Sequence, residues 1–218
     1  MWVKICGVND ERTAEQVCKL GPDAIGLNFH PQSPRFVTRE AAAQIAKLPA
    51  QGVQRVGVFV NHSVAAIEDL ARECRLDAIQ FHGDESPEQM ADVADRLPTI
   101  TILRAWRMSG QSLADLGDYL NICRRLGTRI DGCLIDSNVS GAYGGTGHRV
   151  PWTALANEYQ TASWPPLILA GGLNPSNVAD AIAAVHPWGV DVASGVESTP
   201  GVKDLLLVQQ FISKARAA

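Results

Sequence analysis

The chain has 218 residues, 46% of them hydrophobic and 19% charged, with a formal net charge of -4 at pH 7. This is the composition of an ordinary globular protein. The length suits one α/β barrel, a fold that begins at about 200 residues. The acidic balance and the lack of a basic run argue against nucleic acid as a partner. No apolar stretch could cross a bilayer and no leader pattern follows Met1, so we expect neither a membrane partner nor a targeting segment.

Cysteine and histidine usage bears on compartment and on metal binding. The odd number of cysteines and the lack of CxxC spacing argue against a disulfide framework or a zinc site. The histidines also lack the spacing of metal ligands, so the sequence predicts no metal site. A reducing cytoplasm is the location that this usage favours. The cysteines are Cys6, Cys18, Cys74, Cys123 and Cys133.

Eight short apolar runs alternate with helical patterns along the chain. Runs that are apolar nearly throughout are typical of parallel strands buried on both faces. Eight strand-plus-helix units with right-handed crossovers close most simply into a (β/α)8 barrel, a single domain over residues 1–218. A doubly wound open sheet is the alternative. The predicted strands are Trp2–Cys6, Ala24–Phe29, Gln54–Val60, Ala78–His82, Thr101–Trp106, Gly132–Asp136, Leu167–Ala170 and Gly189–Ala193.

Capping signals mark the starts of several predicted helices. Ser86-Pro87-Glu88-Gln89 combines a cap, a proline at the first helical position and a capping-box glutamine. Ser112 with Asp115 is a weaker version of the same signal, and Asn174-Pro175 again pairs a cap with a proline. Other helices are predicted from Thr38 to Lys47, from Ser63 to about Arg75 and over about Lys203–Ala217.

The end of the first strand carries a thiol. Active sites of such barrels lie at the carboxyl ends of the strands. With a period of two, Lys4 and Cys6 share one face, while Val3 and Ile5 suit packing against the outer helices. Cys6 is therefore expected at the rim, with an ammonium two residues below that favours a thiolate. The alternative is a small buried hydrophobe, which we prefer for the other cysteines.

The sixth strand delivers one carboxylate, Asp136, to the rim across the barrel from Cys6. An acid and a base on opposite sides of a pocket can move a proton across a bound substrate. The alternative is a loop cap, since Asp is common in turns.

Polar residues on other strands are also expected to point into the barrel: Gln80 with His82, Arg104 with Trp106, and Asp191. Lys4 could pair with Asp191 or with Asp136. For His82 a structural role is favoured over a catalytic one.

Two glycine turns follow strands seven and eight, where phosphate sites of these barrels are often built. Backbone amides at Gly171-Gly172 and Ser194-Gly195 could approach an anion, although both stretches could be plain tight turns. A third glycine-rich stretch, Gly141 to Gly147, suggests either a mobile loop over the pocket or a plain surface loop. Two prolines stiffen the loop around Arg35, whose guanidinium could reach a ligand carboxylate or lie in solvent.

Together these segments resemble the phosphoribosylanthranilate isomerase family of tryptophan biosynthesis. They follow the family's order and span nearly the whole chain. The matching stretches are Lys4-Ile5-Cys6-Gly7, Ser33-Pro34-Arg35, Val56-Gly57-Val58-Phe59-Val60-Asn61, Gln80-Phe81-His82-Gly83, Leu134-Ile135-Asp136-Ser137, Gly144-Gly145-Thr146-Gly147, Ala170-Gly171-Gly172-Leu173-Asn174-Pro175 and Asp191-Val192-Ala193-Ser194-Gly195-Val196-Glu197.

The resemblance implies a cofactor-free Amadori rearrangement of N-(5-phosphoribosyl)anthranilate to 1-(2-carboxyphenylamino)-1-deoxyribulose 5-phosphate. It implies Cys6 as general base, Asp136 as general acid and Arg35 as the group that binds the anthranilate carboxylate. It places the phosphate at the turns Gly171-Gly172 and Ser194-Gly195. Ala193 stands where serine is usual, which weakens a role for a side-chain hydroxyl there. A monomer or a homodimer is expected.

Other functions are also compatible with parts of this pattern. Another phosphosugar barrel, such as a ribulose-phosphate epimerase or an indole-glycerol-phosphate synthase relative, would need paired metal ligands or a lysine at a strand end. A non-catalytic barrel that binds a phosphorylated ligand would keep the turns but would have no use for Cys6 with Asp136. The histidine-pathway aminoaldose is a possible additional substrate.

Overall fold

A computed structural model describes residues 1–49, 52–108, 112–136 and 152–218. Eight parallel strands follow one another around a closed barrel, and β1 pairs with β8. This confirms the predicted (β/α)8 barrel over the open sheet. The strands are β1 Trp2–Cys6, β2 Ala24–Asn28, β3 Gln54–Phe59, β4 Ala78–Phe81, β5 Thr101–Arg107, β6 Gly132–Asp136, β7 Leu167–Ala170 and β8 Gly189–Val192.

Helices follow the strands around the outside of the barrel. A 3-10 helix, Ser194–Val196, and a small antiparallel hairpin of β9 Glu197–Thr199 and β10 Val202–Lys203 separate β8 from the last helix. The helices are α1 Glu11–Lys19, α2 Arg39–Ile45, α3 Val64–Glu73, α4 Pro87–Arg96, α5 Leu113–Arg125, α6 Trp152–Glu158, α7 Val178–Val185 and α8 Leu205–Ala217.

Successive side chains along each strand point alternately outward to the helices and inward to the barrel, and this divides the core into two parts. Val3 and Ile5 of β1 belong to the larger cluster between strands and helices, whereas Lys4 lies between them and reaches Asp191 of β8. The predicted facing of β1 is therefore confirmed. The barrel interior is filled by small and branched residues from six other strands: Ala24, Val56, Ala78, Leu103, Ala105, Leu134, Ile168 and Ala170.

Most predicted helix starts are confirmed by side-chain caps. Thr38, Ser63, Ser86 and Ser112 each accept a hydrogen bond from the backbone three residues on. Of the two predicted capping boxes, the one at Ser112 with Asp115 forms. At Ser86 the side chain of the predicted capping-box residue, Gln89, instead donates to His62 O at 2.6 Å.

The predicted helix start at Asn174-Pro175 is wrong, because α7 begins at Val178. Asn177 accepts from Asn174 N at 2.8 Å and donates to Gly172 O at 3.0 Å. The two asparagines therefore build the turn after β7. Helix α7 therefore begins three residues after Pro175, the predicted first helical residue.

The predicted inward orientation of Arg104 and Trp106 is also wrong, and Trp106 packs in the cluster between strands and helices. The neighbours of Arg104, Leu103 and Ala105, fill the barrel interior, so Arg104 points outward. It donates to Glu85 Oε2 at 2.9 Å, and its guanidinium carbon lies 4.9 Å from the Tyr119 ring centre. Arg104 therefore links the loop that follows β4 to strand β5 and helix α5.

The glycine-rich stretch from Gly141 to Gly147 lies outside the described residues, so its prediction as a loop over the pocket stays a prediction. Within the four described ranges, no helix is long and apolar enough to cross a membrane.

Candidate active site

An open cavity of about 820 Å³ lies at the carboxyl ends of the barrel strands. Cys6 and Asp136 both line it, as sequence analysis predicted for this end of the barrel. Of the other predicted site residues, Arg35, Gly171, Gly172 and Ser194 also line the cavity, together with His82 and Asp191.

Cys6 ends β1 and is 9% exposed. Burial raises the pKa of the Cys6 thiol, and the nearby charge of Asp191 adds to this increase. The ammonium groups of Lys4 and Lys203 lower the pKa of this thiol, but they do not outweigh burial. The expected influence of Lys4 is therefore present, while the free protein holds Cys6 largely as the thiol at neutral pH.

Lys4 lies directly below Cys6 and is fully buried. Its Nζ donates to Asp191 Oδ1 at 2.9 Å, which decides between the two partners that the sequence left open. Burial alone would lower the pKa of Lys4, but the charge of Asp191 and the hydrogen bond to it raise the pKa above its ordinary value. The pair thus keeps a buried ammonium charged beneath the thiol.

Asp136 ends β6, and its side chain is 14% exposed at the cavity. Its Oδ2 lies 3.8 Å from His82 Nε2. β6 pairs with β5 and β7, whereas Cys6 ends a strand between β8 and β2. β6 and β1 are three positions apart around the eight-stranded ring, so the carboxyl group and the thiol meet the cavity from strands that are not neighbours.

His82 follows β4 beside Asp136 and is neutral at physiological pH. Burial, with the charges of Lys4 and Arg107, lowers its pKa to about 3. Gln80 Nε2 lies 2.8 Å from His82 Nδ1. If that amide nitrogen is the donor, the ring proton sits on Nε2, which faces Asp136. Because His82 is neutral, it does not form an ion pair with Asp136. The imidazole ring presents only its dipole to the carboxyl group.

Arg35 lines the cavity but is already engaged by a carboxylate of the protein. Its Nε and Nη2 donate to the two oxygens of Glu197 at 2.7 and 2.8 Å. Lys203 Nζ donates to the same Glu197 at 2.7 Å and to Ala193 O at 3.0 Å. Despite burial, hydrogen bonds from Arg35 and Lys203 hold the pKa of Glu197 below its ordinary value. The cluster Arg35–Glu197–Lys203 carries a net charge of about +1 beside the cavity.

The two glycine turns meet at the cavity, but their glycines differ in role. Gly171 and Gly172 have φ angles of 85° and 69°, which the turn after β7 requires. Ser194 lines the cavity beside them, while Gly195 does not. A Cβ added at Gly195 would overlap Leu173 O. Gly195 therefore lets the turn after β8 pack against the turn after β7.

Three residues around the cavity received no functional role from the sequence: Glu197, Lys203 and Asp191. Glu197 lies 162 positions from Arg35, and no local pattern reports such a pairing. Asp191 was a possible partner of Lys4, and its position inside β8 was the signal for it. Within the described ranges, no group of three His, Cys, Asp or Glu residues is arranged to hold a metal ion.

The closed barrel and the cavity at its strand ends define the class of protein: a (β/α)8 barrel with a small-molecule site in its mouth. A family model described as N-(5'phosphoribosyl)anthranilate (PRA) isomerase matches residues 3–214. The N-(5'-phosphoribosyl)anthranilate isomerase of Trichlorobacter lovleyi is 40% identical over 99% of this chain and 98% of its own length. The chain belongs to the N-(5'-phosphoribosyl)anthranilate isomerase family.

Solved structures agree with this assignment. Phosphoribosyl anthranilate isomerase from Thermotoga maritima has a TM-score of 0.85 and 35% identity, covering 99% of this chain and 98% of that chain. A structure of the isomerase in complex with reduced 1-(o-carboxyphenylamino)-1-deoxyribulose 5-phosphate has a TM-score of 0.81 and 34% identity, with coverage of 99% and 98%.

Proposed function

We propose that Cys6 is the general base and Asp136 the general acid of an aldose–ketose isomerisation in the barrel mouth. As a member of its family, the chain catalyses the Amadori rearrangement of N-(5-phosphoribosyl)anthranilate in tryptophan biosynthesis. One observation carries the assignment of roles: the thiol and the carboxyl group line one cavity from strands that are not neighbours. A barrel that only bound a phosphorylated ligand would not need this pair.

The chemistry begins at the ring oxygen of the sugar. Protonated Asp136 donates to that oxygen as the bond from C1 to the ring oxygen breaks, leaving a Schiff base between C1 and the anthranilate nitrogen. The thiolate of Cys6 then removes the proton on C2, and the iminium nitrogen takes up the electron pair. The resulting enolamine gains a proton at C1 and loses one from the hydroxyl on C2, so the overall reaction is an isomerisation.

Anion-binding groups on two sides of the cavity hold the ends of the substrate. Arg35 is positioned to meet the anthranilate carboxylate. The turns at Gly171-Gly172 and at Ser194, supported by Gly195, suit the phosphate. Fixing both ends places C1 and C2 between the acid and the base, which removes much of the entropic cost of the reaction.

A direct assay follows the fluorescence of anthranilate in the substrate. Purified protein should convert N-(5-phosphoribosyl)anthranilate with loss of that signal, and the gene should restore growth of a tryptophan auxotroph that lacks this step. Absence of both would refute the proposed function. The histidine-pathway aminoaldose, supplied in a parallel assay, shows whether the substrate range extends to it.

Arg35→Ala tests the carboxylate site. Loss of a charged hydrogen-bond donor should raise KM by about tenfold or more, with a smaller effect on kcat. An unchanged KM would count against this role of Arg35.

The cytoplasmic location and the monomeric or homodimeric state stay predictions.

A further inference from the structure

A buried charged chain connects the two anion-binding sides of the cavity. It runs from Arg35 through Glu197 and Lys203 to the carbonyl of Ala193, the residue before Ser194. The side chains of Arg35, Glu197 and Lys203 are 12%, 3% and 0% exposed. Each contact is a charged or charge-assisted hydrogen bond of at most 3.0 Å.

The backbone around this chain is packed to hold it. Glu197 and Lys203 are paired across the antiparallel hairpin β9–β10. A Cβ added at Gly201, in the turn of that hairpin, would overlap Pro34 O. The hairpin therefore lies against the loop that carries Arg35. Glu197 meets the guanidinium through both of its oxygens, which fixes the plane of the group as well as its position.

We propose that Glu197 is a positioning residue that presets Arg35 for the substrate carboxylate and, through Lys203, ties it to the phosphate turn after β8. This rests on the proposed function of Arg35 and of the turn at Ser194. A substrate with an anion at each end needs its two binding groups held at a fixed separation. The buried chain supplies that constraint between loops that are far apart in sequence.

Electrostatics alone would give the opposite expectation. Glu197 is an anion beside a cavity that binds anions, so its removal increases the positive charge there. If Glu197 only neutralised charge, a neutral variant would bind substrate more tightly and KM would fall. The two roles of Glu197 therefore differ in the sign of the change in KM.

The test is steady-state kinetics of Glu197→Gln, which keeps the shape of the side chain and removes its charge. We expect KM for N-(5-phosphoribosyl)anthranilate to rise about tenfold, the scale of one charged hydrogen bond, and kcat to change by less than about threefold. An unchanged or lower KM would overturn the proposal. Glu73→Gln, which breaks the exposed pair with Arg39, is the matched control and should leave both constants unchanged.

A double-mutant cycle shows whether Glu197 acts through Arg35. In an Arg35→Ala background, Glu197→Gln should raise KM by less than about twofold, because the group to be positioned is gone. A full tenfold rise in that background would reject the coupling. If Arg35→Ala alone leaves KM unchanged, the proposed function of Arg35 fails. If Arg35→Ala raises KM and Glu197→Gln does not, only the present inference fails.

Inhibition by inorganic phosphate, a competitive inhibitor, tests the contact of Lys203 with Ala193 at the turn after β8. Lys203→Met removes the hydrogen bond to Ala193 O and should weaken phosphate inhibition by about tenfold; unchanged inhibition would remove Lys203 from the proposal. Should a single variant leave a buried charge unpaired and fail to fold, the double variant Glu197→Met, Lys203→Met removes both charges. It is expected to show the same rise in KM, and a normal KM in the folded double variant would contradict the proposal.

Discussion

Burial governs the ionisation of two residues that face the cavity, Cys6 and His82. The thiol has its pKa raised, and the imidazole has its pKa lowered, so both favour their neutral forms. Desolvation penalises the charged form of either group. The sequence placed a lysine below Cys6, but the extent of burial there depends on the packing of the whole barrel mouth.

The pKa of Cys6 has a consequence for the reactivity of its thiol. A thiolate is present only in a small fraction at neutral pH when its pKa lies above the ordinary value of 9.0. We therefore expect alkylation of Cys6 by iodoacetamide, followed by mass spectrometry, to accelerate as pH rises from roughly 7 to 9. An alkylation rate independent of pH across that range would contradict a raised pKa of Cys6.

The pKa of His82 has a consequence for stability. The unfolded chain binds a proton at His82 near its ordinary pKa of 6.5, whereas the folded chain binds it only near 3. The unfolded state therefore holds more protons between these values, and the free energy of unfolding decreases as pH falls through this window. From pH 6.5 to pH 5 this group alone should lower the free energy of unfolding by about 1.6 kcal/mol.

Urea unfolding of His82→Asn measures this contribution, since the variant should lose that part of the acid sensitivity. His186→Asn is the matched control, because Asn tolerates the left-handed backbone at His186. The control should keep the pH dependence of the parent. Equal slopes in His82→Asn and the parent would show that His82 does not titrate in this way.

At the scale of elements, sequence pattern predicted the strands well because their ends follow from runs of apolar residues. β1, β6 and β7 begin and end as predicted, and the ends of the other strands differ by one residue. The start of α7 was missed because two asparagines bond each other in the turn. Such a turn and a helix cap use the same residue types.

Orientation and pairing were harder to predict than element position. Arg104 was expected inside the barrel, but Leu103 and Ala105 occupy that side. An arginine on a strand can satisfy its charge outside as well, when a buried carboxylate such as Glu85 comes from a neighbouring loop. The pairing of Arg35 with Glu197 likewise depends on closure of the barrel.

The contact between the turns after β7 and β8 is testable at Gly195. Gly195→Ala would force its Cβ into Leu173 O, so the two turns must move apart. We expect inhibition by inorganic phosphate to weaken by about tenfold, the scale of a lost hydrogen bond to a charged group.

Gly21→Ala is the control, because Gly21 has a φ of 72° and open space around it. It should lower stability by about 1 kcal/mol and leave phosphate inhibition unchanged. Normal phosphate inhibition in Gly195→Ala would show that the packing of the two turns does not shape the phosphate site.

For the molecule as a whole, barrel closure brings distant residues together. Cys6 and Asp136 lie on strands that are not neighbours, and the parallel arrangement of all eight strands places both at the same end. This could be predicted from the sequence because any (β/α)8 barrel collects its strand ends in one mouth. The buried Arg35–Glu197–Lys203 cluster could not, since it also needs the path of the hairpin β9–β10.

The most direct test is the turnover of Cys6→Ala and of Asp136→Asn, measured with N-(5-phosphoribosyl)anthranilate beside the controls Cys18→Ala and Asp180→Asn. Each active-site variant should lose about two to four orders of magnitude in kcat, and their combination should lose far less than the product of the two effects. Both controls should retain the parent rate. Near-normal turnover in either Cys6→Ala or Asp136→Asn would contradict the acid–base pair across the barrel mouth.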